Sequence, residues 1–227
     1  MEILSETARQ RVTRTIGHVA LNYRNASEGP LAAQLLQTLG FHLVQDIPLP
    51  GGERFYQFLV DGKAGNRGDG IIYLAPLPAA DRALFAAIHE ALGVGTAHEH
   101  PALGPFRTAQ ANDPEHGFHV GLLVDSLEWI EEKMLTLQEL ADSDTPFKNR
   151  LKFLCNRAPR GAADIDERLD SSPLFSSTPR FIYGRNAVQA FIETDILSAG
   201  PLGEKMVIEL DYVFPGYPDN MFTATIL

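Results

Sequence analysis

Histidine has the widest chemical range of the residue types in this sequence, because imidazole both binds metals and exchanges protons near neutral pH. The chain has seven histidines. Two of them, His18 and His119, lie in segments that read alike, GHVALNYR from residue 17 and FHVGLLVD from residue 118. Both segments have the form His-Val-small-Leu. This internal repeat puts two histidines at equivalent positions and makes them a candidate pair of metal ligands.

A second group of histidines offers a competing zinc site, formed by His98, His100, His116 and His119. The stretch that carries them is rich in Pro and Gly and has no cysteine to complete such a site. Histidines in a segment of that kind are expected to be solvated. The sequence therefore favours the repeated pair over the clustered group.

Composition narrows the classes of function. The 227 residues include 19 Lys+Arg and 29 Asp+Glu, a net charge of −10, with 44% hydrophobic residues. This predicts a globular protein and argues against nucleic-acid or anionic-membrane partners, which need dense basic faces. Cys155 is the single cysteine, so no internal disulfide is expected, and a buried inert thiol is its predicted role. Neither a secretory signal nor an apolar run of membrane-spanning length is apparent, so a cytoplasmic location is expected.

The elements that must position the histidines follow from hydrophobic periodicity. Residues 15–25 alternate as a strand and are followed by a helix that begins near Pro30 and ends at Gly40. Three strands are then predicted at 41–47, 54–60 and 70–75, with a further helix at 79–93. Residues 96–115 are predicted to be a linker, because they are rich in Pro, Gly, Ala and His.

The second half repeats this order. A strand around His119 precedes a helix that begins at Asp125 or Ser126, and strands are predicted at 152–156, 187–197 and 205–214. Residues 142–180 are rich in charge, Ser and Pro, which predicts an irregular surface excursion or lid. The expected organisation is a first βαβββ module plus helix (1–95), the linker (96–115), and a second βαβββ module with the excursion (116–227). The fold class is α+β, with the two units sharing one cavity.

Two βαβββ units that open with x-His-Val-x-Leu, the second closing with the sequence MVIEL from Met206, resemble the vicinal oxygen chelate superfamily. That superfamily includes glyoxalase I, bleomycin-resistance proteins, type I extradiol dioxygenases and 4-hydroxyphenylpyruvate dioxygenase. The resemblance implies an open cup of mixed β-sheet that binds a small-molecule substrate and a divalent metal. Because such cups often pair, it also makes a homodimer an expected assembly.

The resemblance implies His18, His119 and Glu209 as metal ligands, from the first strand of each unit and the last strand of the second. Val207, Glu209 and Asp211 share one face of that last strand. Tyr73 occupies the place where a glyoxalase-type site has a fourth ligand, a carboxylate. Two imidazoles and one carboxylate form the facial triad of non-haem Fe(II) oxygenases. Fe(II) is therefore the favoured metal, with Mn, Ni or Zn as alternatives.

The implied function is an Fe(II)-dependent dioxygenase-like enzyme acting on a small aromatic diol or keto acid. Tyr73, His116 and Asn22 are the candidate acid–base residues, although the tyrosine that extradiol enzymes carry before the Glu ligand is replaced by Ser198-Ala199-Gly200. Two alternatives stay open. One is a glyoxalase-type metal-dependent isomerase or lyase. The other is a metal-free small-molecule-binding protein of the resistance type, in which Glu209 lines a wet cavity.

Overall fold

The computed structural model describes residues 16–64, 68–180, 186–202 and 204–217. These residues form two βαβββ units. The first contains strands β1 (His18–Tyr23), β2 (His42–Pro48), β3 (Arg54–Leu59) and β4 (Ile71–Pro76), with helix α1 (Gly29–Thr38) after β1. The second contains β5 (His119–Leu123), β6 (Leu151–Arg157), β7 (Ala187–Ser198) and β8 (Lys205–Val213), with α4 (Leu127–Asp142) after β5. Helices α2 (Ala79–Leu92) and α3 (Leu103–Asn112) connect the units, and α5 (Ala163–Asp170) follows β6.

Strand order confirms the predicted α+β class with two repeated units. Each first strand pairs in parallel with its own last strand, β1 with β4 and β5 with β8, and the other pairs within a unit are antiparallel. The order along the mixed sheet is β2-β3-β4-β1-β7-β8-β5, with β6 paired to β7 beside this path. The units join where the end of β1 meets the end of β7.

One face of this sheet carries the hydrophobic core. Alternate residues of every strand face the apolar stripes of α1 and α4, as the period-2 pattern predicts. The packed side chains include Leu21, Tyr23, Leu74, Ile192 and Ile208. The opposite face, turned away from α1 and α4, is called the far face here. In both units the candidate site residues of the strands alternate onto the far face.

The predicted linker contains a helix, α3, so this connection is more regular than its composition suggested. Pro101, Gly104 and Pro105 suggested irregular chain, but they lie just before and within the first turn of α3. Proline is tolerated there because the first backbone N–H groups of a helix have no intrahelical partner. Leu103 anchors the helix by burying its side chain.

The excursion at 142–180 is also more regular than predicted, because it contains β6 and α5. It does not act as a lid over the far face, since Ile165 and Leu169 of α5 join the core on the side of α4. Some of its charged residues pair within the segment, as Arg180 does with Asp166 and Asp170, and others pair outside it, as Arg168 does with Glu131 of α4. Among the described residues, no helix is long and apolar enough to cross a bilayer.

Candidate functional site

The far face of the second unit is a grid of side chains from β6, β7, β8 and β5. Register fixes its rows, because each residue is paired with a neighbour of the same orientation. The rows are Lys152-Glu193-Val207-His119, then Leu154-Phe191-Glu209-Gly121, then Asn156-Gln189-Asp211-Leu123. Glu209 is at the centre, and His119 is diagonal to it.

His119 and Glu209 are adjacent. The distance from His119 Nε2 to Glu209 Oε2 is 3.6 Å, and the His119 side chain is 33% exposed while that of Glu209 is 6% exposed. His119 Nδ1 lies 3.1 Å from the carbonyl oxygen of Gly117. Because a carbonyl only accepts hydrogen bonds, Nδ1 must carry a proton, so in the neutral imidazole the basic nitrogen is Nε2, which faces Glu209.

Gln189 holds Glu209 in place. The buried Gln189 Nε2 donates to Glu209 Oε1 at 2.7 Å and to Glu115 Oε1 at 2.8 Å. Glu115 follows α3, so this amide also fastens the segment after α3 to the sheet. Sequence reasoning expected Glu209 to need a cation or solvent; the amide of Gln189 instead supplies a hydrogen bond to this buried carboxylate.

Asp211 lies beside Glu209 on the same strand face. Burial, and then the nearby Glu209 carboxylate, raise the pKa of Asp211 to about 8, so Asp211 is mostly protonated at pH 7. Burial also raises the pKa of Glu115 above its ordinary value. Its buried Oδ1 has no hydrogen-bond partner among the described residues.

Gly121 makes room for this pair of carboxyl groups. A Cβ atom at Gly121 would lie 3.5 Å from Glu209 Oε2 and 3.8 Å from Asp211 Oδ2. The absence of a side chain thus leaves a space over both groups, bordered by His119 one row away.

A cleft of about 290 Å³ lies next to the grid, between α3 and the sheet. Leu103 and Phe106 line it from α3, and Val207 and Lys205 line it from β8. Val207 is paired with His119 and precedes Glu209 by two residues on the same face, a spacing of about 7 Å. The partly exposed His119 imidazole therefore lies one strand away from the Val207 wall of the cleft and beside the buried Glu209 carboxylate.

His18 lies far from this group. β1 meets β7 only through Asn22 and Tyr23, opposite Ser198 and Leu197, and runs antiparallel to it. His18 therefore lies beyond the end of β7, whereas Glu209 is opposite Phe191. Seven residues of strand from Phe191 to Ser198 alone span roughly 20 Å. The His18 ring instead packs against Tyr73, at 5.1 Å between centroids.

The predicted triad is therefore not assembled in this arrangement. Throughout the described part of the chain, no three His, Cys, Asp or Glu residues form a group that could hold a metal ion. Two of the three predicted ligands are adjacent and the third is on the other unit. The Fe(II) triad that the fold resemblance implies does not fit the residues as placed.

The predicted acid–base residues are also elsewhere. Tyr73 packs between His18 and Phe55 on the first unit. The Asn22 amide donates to the carbonyl oxygens of Ala75 and Pro76, where it ties β1 to the end of β4. His116 is exposed. None of the three contacts the His119–Glu209 pair through a hydrogen bond or ring contact between described residues.

Sequence reasoning missed Gln189 and Glu115 and named Asp211 only as a neighbour of Glu209 on its strand. The period-2 alternation of β8 is enough to place Asp211 on the same face as Glu209. No local pattern marks Gln189, because its role depends on which strand lies beside β8.

No protein-family model and no curated protein sequence matches this chain. Among solved structures, it is similar to a glyoxalase/bleomycin resistance protein/dioxygenase family enzyme from Burkholderia phytofirmans PsJN, with 14% identity, a TM-score of 0.35, and coverage of 88% of this chain and 100% of that one. A possible glyoxalase from Bacillus cereus gives 14% identity, a TM-score of 0.35, and coverage of 87% and 98%. These names agree with the resemblance seen in the sequence, but similarity at this level carries no argument about activity.

Proposed function

We propose that this chain binds a small carbonyl compound in the cleft beside α3 and transfers a proton on it, with His119 as the exchanging group. The observation that carries the proposal is the placement of a partly exposed imidazole beside a buried carboxylate, next to Val207, which lines the cleft. General acid–base catalysis needs a base that neighbouring groups hold in position within reach of the substrate.

His119 Nε2 is the atom that would take the proton. Gly117 fixes the proton of the neutral ring on Nδ1, so the bare Nε2 is the basic position. Once Nε2 is protonated, the imidazolium faces Glu209 across the same 3.6 Å and gains a charge partner. Gln189 orients that carboxylate by its hydrogen bond.

Asp211 favours its protonated form beside Glu209. Neighbouring carboxyl groups in a buried site do not both ionise readily, and here Asp211 keeps its proton near neutral pH while Glu209 is the partner of His119. Asp211 therefore adds little negative charge to the site near neutral pH.

The substrate class follows from the base. An imidazole removes a proton from carbon only where a neighbouring carbonyl acidifies the C–H bond, so an α-hydroxy ketone or α-keto acid is the expected substrate. This belongs to the isomerase or lyase class of chemistry. Leu103 and Phe106 would exclude water from one side of the bound molecule.

Deuterium exchange tests the proposal. A panel of α-hydroxy ketones and α-keto acids is incubated with the protein in D2O, and loss of the C–H signal is followed by proton NMR. The wild type and the control His116→Gln, which changes an exposed histidine nearby, are expected to exchange equally. His119→Gln is expected to lose about 10²-fold or more of the rate. Equal rates in His119→Gln and wild type would rule out the proposed base.

The Fe(II)-dependent dioxygenase is the second candidate, favoured by the adjacency of His119 and Glu209, two of its three predicted ligands. It requires a conformation or assembly that brings His18 to them. Metal analysis of protein purified without chelators separates the candidates: stoichiometric iron that is lost in both His18→Ala and His119→Ala supports the triad, and iron retained in His18→Ala removes it.

A further inference from the structure

A second cavity, of about 230 Å³, lies between α2 and the junction of the two units. Its wall includes Arg24, Arg82 and His89, together with Leu77, Phe85 and Pro201. No aspartate or glutamate is among the residues that line it. Two guanidinium groups therefore border one small space in a chain whose net charge is −10.

Arg24 is the least satisfied of these cations. Its Nη2 donates to the carbonyl oxygen of Glu204 at 3.2 Å, and this is its one hydrogen bond within the described residues. Its Nε is buried and has no partner there. A guanidinium offers five N–H donors, and buried donors are nearly always paired, but the described part of the chain gives the buried Nε of Arg24 no acceptor.

The other polar groups of the cavity are already held in position. Arg82 Nη1 donates to Glu53 Oε1 at 3.1 Å and also to the Leu77 carbonyl oxygen. His89 Nε2 lies 2.8 Å from the carbonyl oxygen of Pro201. These contacts fix the wall without neutralising Arg24, whose one partner among the described residues is an uncharged carbonyl.

We propose that this cavity is a binding site for a small oxyanion, a phosphate or carboxylate group, with Arg24 as its principal ligand and Arg82 beside it. The planar guanidinium matches both kinds of oxyanion through paired N–H donors. The volume suits a small molecule or a single charged group. The site is separate from the His119–Glu209 pair and does not depend on the proposed activity.

An anion bound in this cavity would also stabilise the position of α2. No residue of α2 is fully buried, and polar contacts of Arg82 and His89 help to hold the helix. An anion between the helix and Arg24 adds a link across that gap. Binding to the native state alone raises stability by mass action, so the melting temperature should rise with anion concentration.

Calorimetric titration of the full chain with inorganic phosphate, and separately with acetate, tests the site at constant ionic strength. Saturable one-to-one binding is expected for at least one of the two, and the stronger one identifies the preferred group. Arg24→Gln is expected to weaken it at least tenfold, while Arg160→Gln, which removes an exposed arginine on the second unit, leaves it unchanged.

Two further variants keep the result interpretable. Arg82→Gln should also weaken binding, which covers the case in which Arg24→Gln does not fold. Glu209→Gln should bind phosphate or acetate as the wild type does, even if the proposed proton transfer fails. Absence of saturable binding by either anion in the wild type, or an equal loss in Arg160→Gln, would overturn the proposal.

Discussion

Asp211 connects the chemistry of the site to the stability of the fold. The folded chain keeps the Asp211 proton up to a pKa of about 8, whereas the ordinary value is 3.8. Between these values the folded state binds more protons than the unfolded state. The contribution of Asp211 to the free energy of unfolding must therefore fall as pH rises from about 4 to about 8.

Asp211→Asn should remove this dependence, because asparagine resembles the protonated acid and never ionises. We expect the variant to be more stable than the wild type at pH 8 by at least about 1 kcal/mol, the value of roughly one pKa unit, and the difference to shrink toward pH 4. Urea unfolding at a series of pH values measures it. Asp125→Asn, at an exposed position, is the control. A stability difference that stays constant from pH 4 to pH 8 would contradict the assignment.

At this scale the sequence predicted part of the site. His119 and Glu209 were found because a repeat and a family motif point to them, and the alternation of β8 brings in Asp211. Gln189 and Glu115 could not be found, because they reach Glu209 from a neighbouring strand and a covering segment. Such contacts depend on strand register, which a single sequence does not encode locally.

At the scale of elements, the end of α1 shows how one glycine sets the packing of two helices. Gly40 has a φ of +85°, and a Cβ there would lie 2.9 Å from Trp129 Cζ2 of α4. Glycine is required both for the left-handed backbone and for the close approach of the indole ring. The helices and strands of the two βαβββ units were well predicted, because period-2 and i, i+4 patterns are local. α3 was missed because its prolines fall where a helix tolerates them.

Gly40→Ala should therefore destabilise the chain more than a glycine substitution that meets only backbone strain. Gly51→Ala is the matched control, with a φ of +81° and nothing within 4 Å of its Cβ. We expect Gly51→Ala to cost about 1 kcal/mol and Gly40→Ala to cost about 1–3 kcal/mol more, from overpacking against Trp129. Urea unfolding followed by the fluorescence of Trp129, the single tryptophan, measures both. Equal losses of stability in the two variants would contradict this prediction, because they would show that the Trp129 ring moves aside at no cost in free energy.

At the scale of the whole molecule, the two units share one hydrophobic core, and a few polar contacts also join them. Arg150 donates to Glu28 at 2.8 Å and to Asp195 at 2.5 Å, which links the turn before α1 to the second unit. The short β1–β7 pairing is a further link, and it also explains why His18 is distant from Glu209. The repeat predicted two equivalent units correctly, but it could not predict how their edges meet, because that contact is made by a few residues at strand ends.

Cys155 reports on the opening of this whole structure. It is buried in the core, and burial raises the pKa of its thiol to about 12. We expect a thiol reagent at pH 8 to label the native protein at least 10²-fold more slowly than the protein in 8 M urea, because only the unfolded chain exposes a thiol of ordinary pKa. Mass spectrometry of the labelled chain measures this. Rapid labelling of the native state would show that the core on the side of α4 opens locally.

The central claim is that His119 and Glu209 act together without His18, and the most direct test is the rate of C–H exchange in chelator-treated protein. The compounds are the α-hydroxy ketones and α-keto acids described above, and the proteins are the wild type, His18→Ala and His119→Gln. We expect the chelated wild type and His18→Ala to exchange at the same rate and His119→Gln to be slower by about 10²-fold or more. Exchange that requires added metal and is lost equally in His18→Ala would contradict it.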